Sequence, residues 1–142
     1  MKVPMTEYLE IDLDTELWLC RRCGHKIGPA REAYKEGLLV YVRDPREIHK
    51  PILDPKLYEF TFSPDPTWEQ IIEFYCPSCG VMAEVEYLPI GHPPLRDLEF
   101  DLDALKQQWS KREPLTEAQF AGPSPAAYEQ HQHVHKHSHG GR

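Results

Sequence analysis

Four cysteines constrain this chain more than any other feature. They are its only cysteines in 142 residues, and they fall as two like units, Cys20-Arg21-Arg22-Cys23-Gly24-His25 and Cys76-Pro77-Ser78-Cys79-Gly80. A C-x-x-C turn aims two sulfurs at one point. The glycine after it permits a tight backbone return that other residues make only with strain. Two such turns facing each other supply four soft ligands in a tetrahedron, which suits a structural zinc ion bound by Cys20, Cys23, Cys76 and Cys79. The same four sulfurs suit a rubredoxin-like iron centre, and they could instead be free thiols or two disulfides. A closed four-sulfur site leaves no position open for substrate, so it should hold structure and not catalyse.

The charge balance bears on partners. The chain carries 16 Lys and Arg against 23 Asp and Glu, a net charge of −7. Phosphate backbones are bound by clustered cations, so the sign argues against nucleic acid. No apolar run approaches the roughly 20 residues that a membrane helix needs. The N-terminal stretch has no signal-like apolar core, so the expected compartment is the cytoplasm, where thiols stay reduced. With 40% hydrophobic residues and 14 prolines, the expected core is modest, and a bound metal supplies part of the folding free energy.

Residues 1–15 are acidic and read as an extended arm, with a short edge strand possible over 10–14. Glu16 to Cys20 reads as a strand entering the first knuckle. Gly28-Pro29 breaks the chain, and 31–36 fits a helical turn in which Tyr34 packs. Leu38 to Arg43 is β-branched and aromatic, hence a strand. The segment 43–51 is bracketed by prolines and reads as a loop. Its Arg43, Arg46, His49 and Lys50 form a cationic patch, suited either to an acidic partner surface or simply to solvent. Leu57 to Phe62 alternates and predicts a further strand. Trp68 to Tyr75 and Val81 to Leu88 should pair as an antiparallel hairpin across the second knuckle. On the second of these, Glu84 and Glu86 read as solvated face residues.

Past Pro93 the chain is acidic, and Asp101 or Asp103 should cap a helix from about Leu102 to Lys111, with Leu102, Leu105 and Trp109 on one face. His92 lacks the orienting partner a general base requires. From Glu113 the composition shifts to Ala, Pro, Ser and Gln, and histidines alternate from His131 to His139. Such imidazoles suit weak binding of Zn, Ni or Cu, and a plain solubilising tail or an affinity tag are the other readings. No phosphate loop, G-x-S-x-G or H-E-x-x-H motif is present. The fold class predicted is mainly β with a short helix: a zinc-ribbon-like antiparallel β domain over 16–112, an arm over 1–15 and a His-rich tail over 113–142.

The run from Trp68 to Gly80, followed by Val85-Glu86 and by the acidic stretch from Arg96-Asp97 to Asp103, resembles the small, gamma-type subunit of acetone carboxylase and the related zinc-containing subunit of acetophenone carboxylase. Cys23-Gly24-His25 fits as well. The likeness covers roughly residues 16 to 110. The Tyr41-Val42-Arg43-Asp44-Pro45-Arg46-Glu47 string is closer to the acetophenone type, and the acetone-type first knuckle is often shorter than the one that Arg21 and Arg22 make here. The resemblance implies a subunit of an ATP-dependent, biotin-independent complex that joins a ketone to bicarbonate to give a β-keto acid. Catalytic residues would lie on larger partner chains and none on this one, and Cys20, Cys23, Cys76 and Cys79 would hold Zn²⁺. Two other functions fit the ligands alone: a rubredoxin-like iron electron carrier and a free-standing zinc-ribbon adaptor.

Overall fold

The structure is a computed structural model that describes residues 1–52, 54, 56–60 and 63–113. Two antiparallel sheets carry it. The first has four strands in chain order: β1 (Lys2–Pro4), β2 (Leu9–Asp12), β3 (Leu17–Cys20) and β4 (Lys26–Pro29). The second has three, also in chain order: β5 (Leu39–Arg43), β6 (Glu69–Tyr75) and β7 (Met82–Pro89). Mostly antiparallel β structure is what the alternating runs predict.

The first fifteen residues depart from the expected arm. Val3, Leu9, Ile11 and Leu13 are buried, and β2 runs along the whole of β3 from Leu9 opposite Cys20 to Asp12 opposite Leu17. Burying the apolar half of an alternating strand removes it from water, which an arm would not do. The strand expected over 57–62 is also not found: residues 57–60 make turns and bends, and 61 and 62 lie outside the described residues. Asp54 accepts the amides of Leu57 and Tyr58 through its carbonyl and so closes that turn. The proline-bracketed loop carries a short helix, α1 (Pro45–Ile48), capped by Asp44, whose Oδ1 accepts the Arg46 amide at 2.9 Å.

Three members of the cationic patch expected in that loop, Arg43, Arg46 and His49, find partners within the chain. Arg43 forks onto Glu73 at 2.5 and 2.9 Å and reaches Glu47 at 2.8 Å, and Arg46 pairs with Asp44 at 2.6 Å. His49 Nε2 lies 3.0 Å from the Tyr87 hydroxyl. Glu73 is buried, and hydrogen bonds from Arg43, opposed by burial, hold its carboxyl below the ordinary 4.5. A lowered folded value stabilises the native state above the unfolded value and is lost as pH falls through the folded one. The difference in melting temperature between the parent and Glu73→Gln is therefore expected to be full at pH 6 and to shrink below pH 4.5, as read by thermal melts across that range.

The segment after β7 crosses back over both sheets. Phe100 meets Trp18 edge-on with centroids 5.9 Å apart, and Trp18 in turn packs on Tyr34 and donates to the Glu32 carbonyl at 3.1 Å. Asp103 pairs with Arg31 at 2.9 Å, and Lys106 pairs with Glu16. The predicted helix is present as α2 (Leu102–Ser110), with Asp101 Oδ1 accepting the amides of Asp103 and Ala104. By compactness the chain divides into Met1–Lys106 and Gln107–Arg142. The second unit holds the end of α2 and an Arg112 guanidinium 4.3 Å from the Trp109 ring. The His-rich stretch and the tail from 114 onward lie outside the described residues.

Candidate metal centre

Two hairpins built on one plan bring the cysteines together. In the first, β3 leads into Cys20 and β4 leaves after His25; in the second, β6 leads into Cys76 and β7 leaves after Val81. Each knuckle closes the same way. The Cys20 amide donates to His25 O and the Gly24 amide to Cys20 O, at 2.9 and 2.7 Å. The Cys76 amide donates to Val81 O and the Gly80 amide to Cys76 O, both at 2.9 Å. Gly24 and Gly80 take φ of 74° and 68°, the left-handed region that the motif reserves for glycine. The register shifts by one residue in each hairpin, opposite Trp18/Leu19 and Phe74/Tyr75, and the extra residue lies on the strand that leaves the knuckle, Ile27 on β4 and Ala83 on β7.

The four sulfurs all lie within 4.8 Å of one another. Cys20 Sγ is 3.8 Å from Cys79 Sγ, and Cys23 Sγ is 3.7 Å from Cys76 Sγ. A tetrahedron with metal–sulfur bonds of about 2.3 Å has edges of about 3.8 Å, the length that the Cys20–Cys79 and Cys23–Cys76 pairs already have. A disulfide would need about 2.05 Å, and none of the four is so paired. The site can therefore hold one metal ion, with ligands drawn from both sheets.

The sulfurs are not equivalent. Cys20 and Cys76 are buried, Cys79 is half-buried and Cys23 is exposed. Burial pushes the Cys20 thiol up to about 12, against backbone N–H groups of its own knuckle that favour the thiolate. The His25 amide brings the Cys23 thiol down to about 7 despite some burial. Left without a cation, Cys20 would keep its proton. A divalent ion is what allows four thiolates to share this space.

The strand that leaves the second knuckle, β7, also carries part of a buried ionic cluster that the sequence reading missed. Lys35 and Glu86, expected as a turn residue and a solvated face residue, are only 6% and 8% exposed. Lys35 Nζ donates to Glu86 Oε1 at 2.6 Å, to Asp97 Oδ1 at 2.9 Å and to the Leu95 carbonyl at 2.8 Å. Tyr34 donates its hydroxyl to Asp97 at 2.8 Å, and the Leu95 amide donates to Glu86. Burial raises the Asp97 carboxyl, but hydrogen bonds from Lys35 and Tyr34 outweigh it and leave the net value lowered. Every member has a partner, so the cluster fastens the returning segment to β7. His92 is exposed, with its Nδ1 against the Pro93 carbonyl.

Two facing knuckles on β-hairpins, closed around one four-sulfur site, define a zinc-ribbon-like metal-binding protein. Residues 3–110 match the family model described as the acetone carboxylase gamma subunit. The chain is 48% identical over 110 residues to an acetophenone carboxylase beta subunit of Aromatoleum aromaticum, covering 78% of this chain and 83% of that one. It is 30% identical over 94 residues to an acetone carboxylase gamma subunit of Xanthobacter autotrophicus, covering 65% of this chain and 52% of that one, so it spans about half the length of that relative. The chain belongs to the acetone carboxylase gamma subunit family. The resemblance drawn from the second knuckle and its flanks is thereby established, and the higher of the two identities lies with the acetophenone type.

Proposed function

We propose that this chain is the non-catalytic, zinc-binding small subunit of an ATP-dependent, biotin-independent ketone carboxylase of the acetophenone type. Larger chains convert a ketone and bicarbonate to a β-keto acid, and this one holds the assembly together. The observation that carries the reading is the closed four-sulfur geometry in a chain 48% identical to an acetophenone carboxylase subunit. When bound, Zn²⁺ at Cys20, Cys23, Cys76 and Cys79 supplies a fixed cross-link and no open coordination position. The chain's own contribution is to hold the donors with the two glycine turns and their amide bonds. Reduced thiols at this spacing suit the cytoplasm.

The chain is expected to co-purify with large carboxylase chains as a colourless protein with one zinc per copy. Ketone-dependent ATP turnover is expected from the complex and not from the small chain alone. Metal analysis and activity assays of both preparations check this. A red, iron-loaded chain with a reversible one-electron potential would replace the reading with an electron carrier.

A further inference from the structure

Four strands form the edges of the two sheets, and three are blunted in the ways that proteins commonly use. β1 carries Lys2 and Pro4, β4 carries Lys26 and Pro29, and β7 carries Glu84 and Pro89. β5 has no such guard along its length. Leu39, Val40, Tyr41 and Val42 are 58%, 55%, 48% and 57% exposed, and successive residues of a strand point to opposite faces. Its outer edge and both faces are thus apolar and open among the described residues. The one cation on the strand, Arg43 at its end, is turned back onto Glu73 and Glu47.

We propose that β5 is a docking strand that slots into a cleft of a larger carboxylase chain, where an apolar extended segment of that chain pairs along its free edge. The inference rests on the carboxylase-subunit reading above and adds the surface to it. Main-chain pairing satisfies the open N–H and C=O groups, and the cleft walls cover the two faces. A flat partner would cover one face only. A second copy suits the surface poorly. Two copies of charge −7 would have to meet over a five-residue strand each, whereas stable interfaces bury about 1,200–2,000 Å².

The test uses the full chain co-expressed with the large chains of the carboxylase. The double variant Val40→Lys/Val42→Lys is expected to keep its metal content and melting temperature and to bind the large chains at least about 100-fold more weakly, since each buried lysine would lose its hydration in the cleft. In the parent, the β5 amides that do not bond to β6 are expected to exchange at least about 100-fold more slowly in the complex than in the free chain. Unchanged assembly of the variant, or equal exchange in the complex and the free chain, overturns the proposal. Protection of those amides already in the free chain also overturns it, because a second copy or this chain's own residues would then hold the edge. If the variant fails to fold, the exchange comparison on the parent decides alone. Failure of the parent chain to co-purify with the large chains removes this inference and the carboxylase-subunit reading together.

Discussion

Replacing Cys76 by serine is expected to remove stoichiometric metal and to lower the melting midpoint by roughly 20 °C or more. Cys76 Sγ is buried and lies 3.7 Å from Cys23 Sγ, and its own amide closes the second knuckle onto Val81. A serine hydroxyl there is a poor soft-metal ligand and leaves three sulfurs without their cation. Structural zinc contributes on the order of 10 kcal/mol to small domains, as much as the whole stability of many of them. Cys23→Ser should cost clearly less, because Cys23 is exposed and water can take the vacated position. Metal content and thermal melts of the two variants, compared side by side, check the order. Equal melts for the parent and Cys76→Ser would mean that the knuckles hold without an ion.

Lys35→Ala is the second large effect, and it is independent of the metal. Removing the ammonium leaves Glu86 buried with only the Leu95 amide as a donor, and Asp97 with Tyr34 and its own amide. Breaking a buried pair by deleting one partner costs about 3–5 kcal/mol, because the remaining charge stays desolvated. The double variant Lys35→Met/Glu86→Leu should recover most of that loss, since it removes both charges of the buried pair and keeps the volume. Denaturant unfolding of both variants measures it. A single variant as stable as the parent would show that the cluster is ornamental to the fold. A double variant as weak as the single one would show that Asp97 and the Leu95 carbonyl depend on Lys35 in their own right.

The parts legible in the sequence are those set by short-range rules. The knuckles are legible because C-x-x-C-G encodes its own turn, down to the positive φ at Gly24 and Gly80. The β6–β7 hairpin follows from two alternating runs on either side of a knuckle, and α2 follows from the Asp101 cap. β1 and β2 are harder to read because they span three and four residues, so acidic character outweighs the pattern. The signal that finds β2 is the alternation Leu9, Ile11, Leu13, all buried. The facing of β7 is misread for a different reason. Val85 and Tyr87 suggest the inner face, yet Glu86 and Leu88 occupy it and Tyr87 stays exposed. The counter-charge that permits this, Lys35, lies 51 residues earlier. No local pattern announces such a pair, because a lysine in a helical turn looks solvated until the fold closes over it.

The central claim is that sulfurs from two turns more than fifty residues apart grip one ion. X-ray absorption at the metal edge of the purified complex tests it most directly. Four sulfur scatterers at about 2.3 Å around one zinc per chain are the expected result. A shell containing nitrogen or oxygen, or sulfurs found oxidised in pairs with no metal bound, would contradict it.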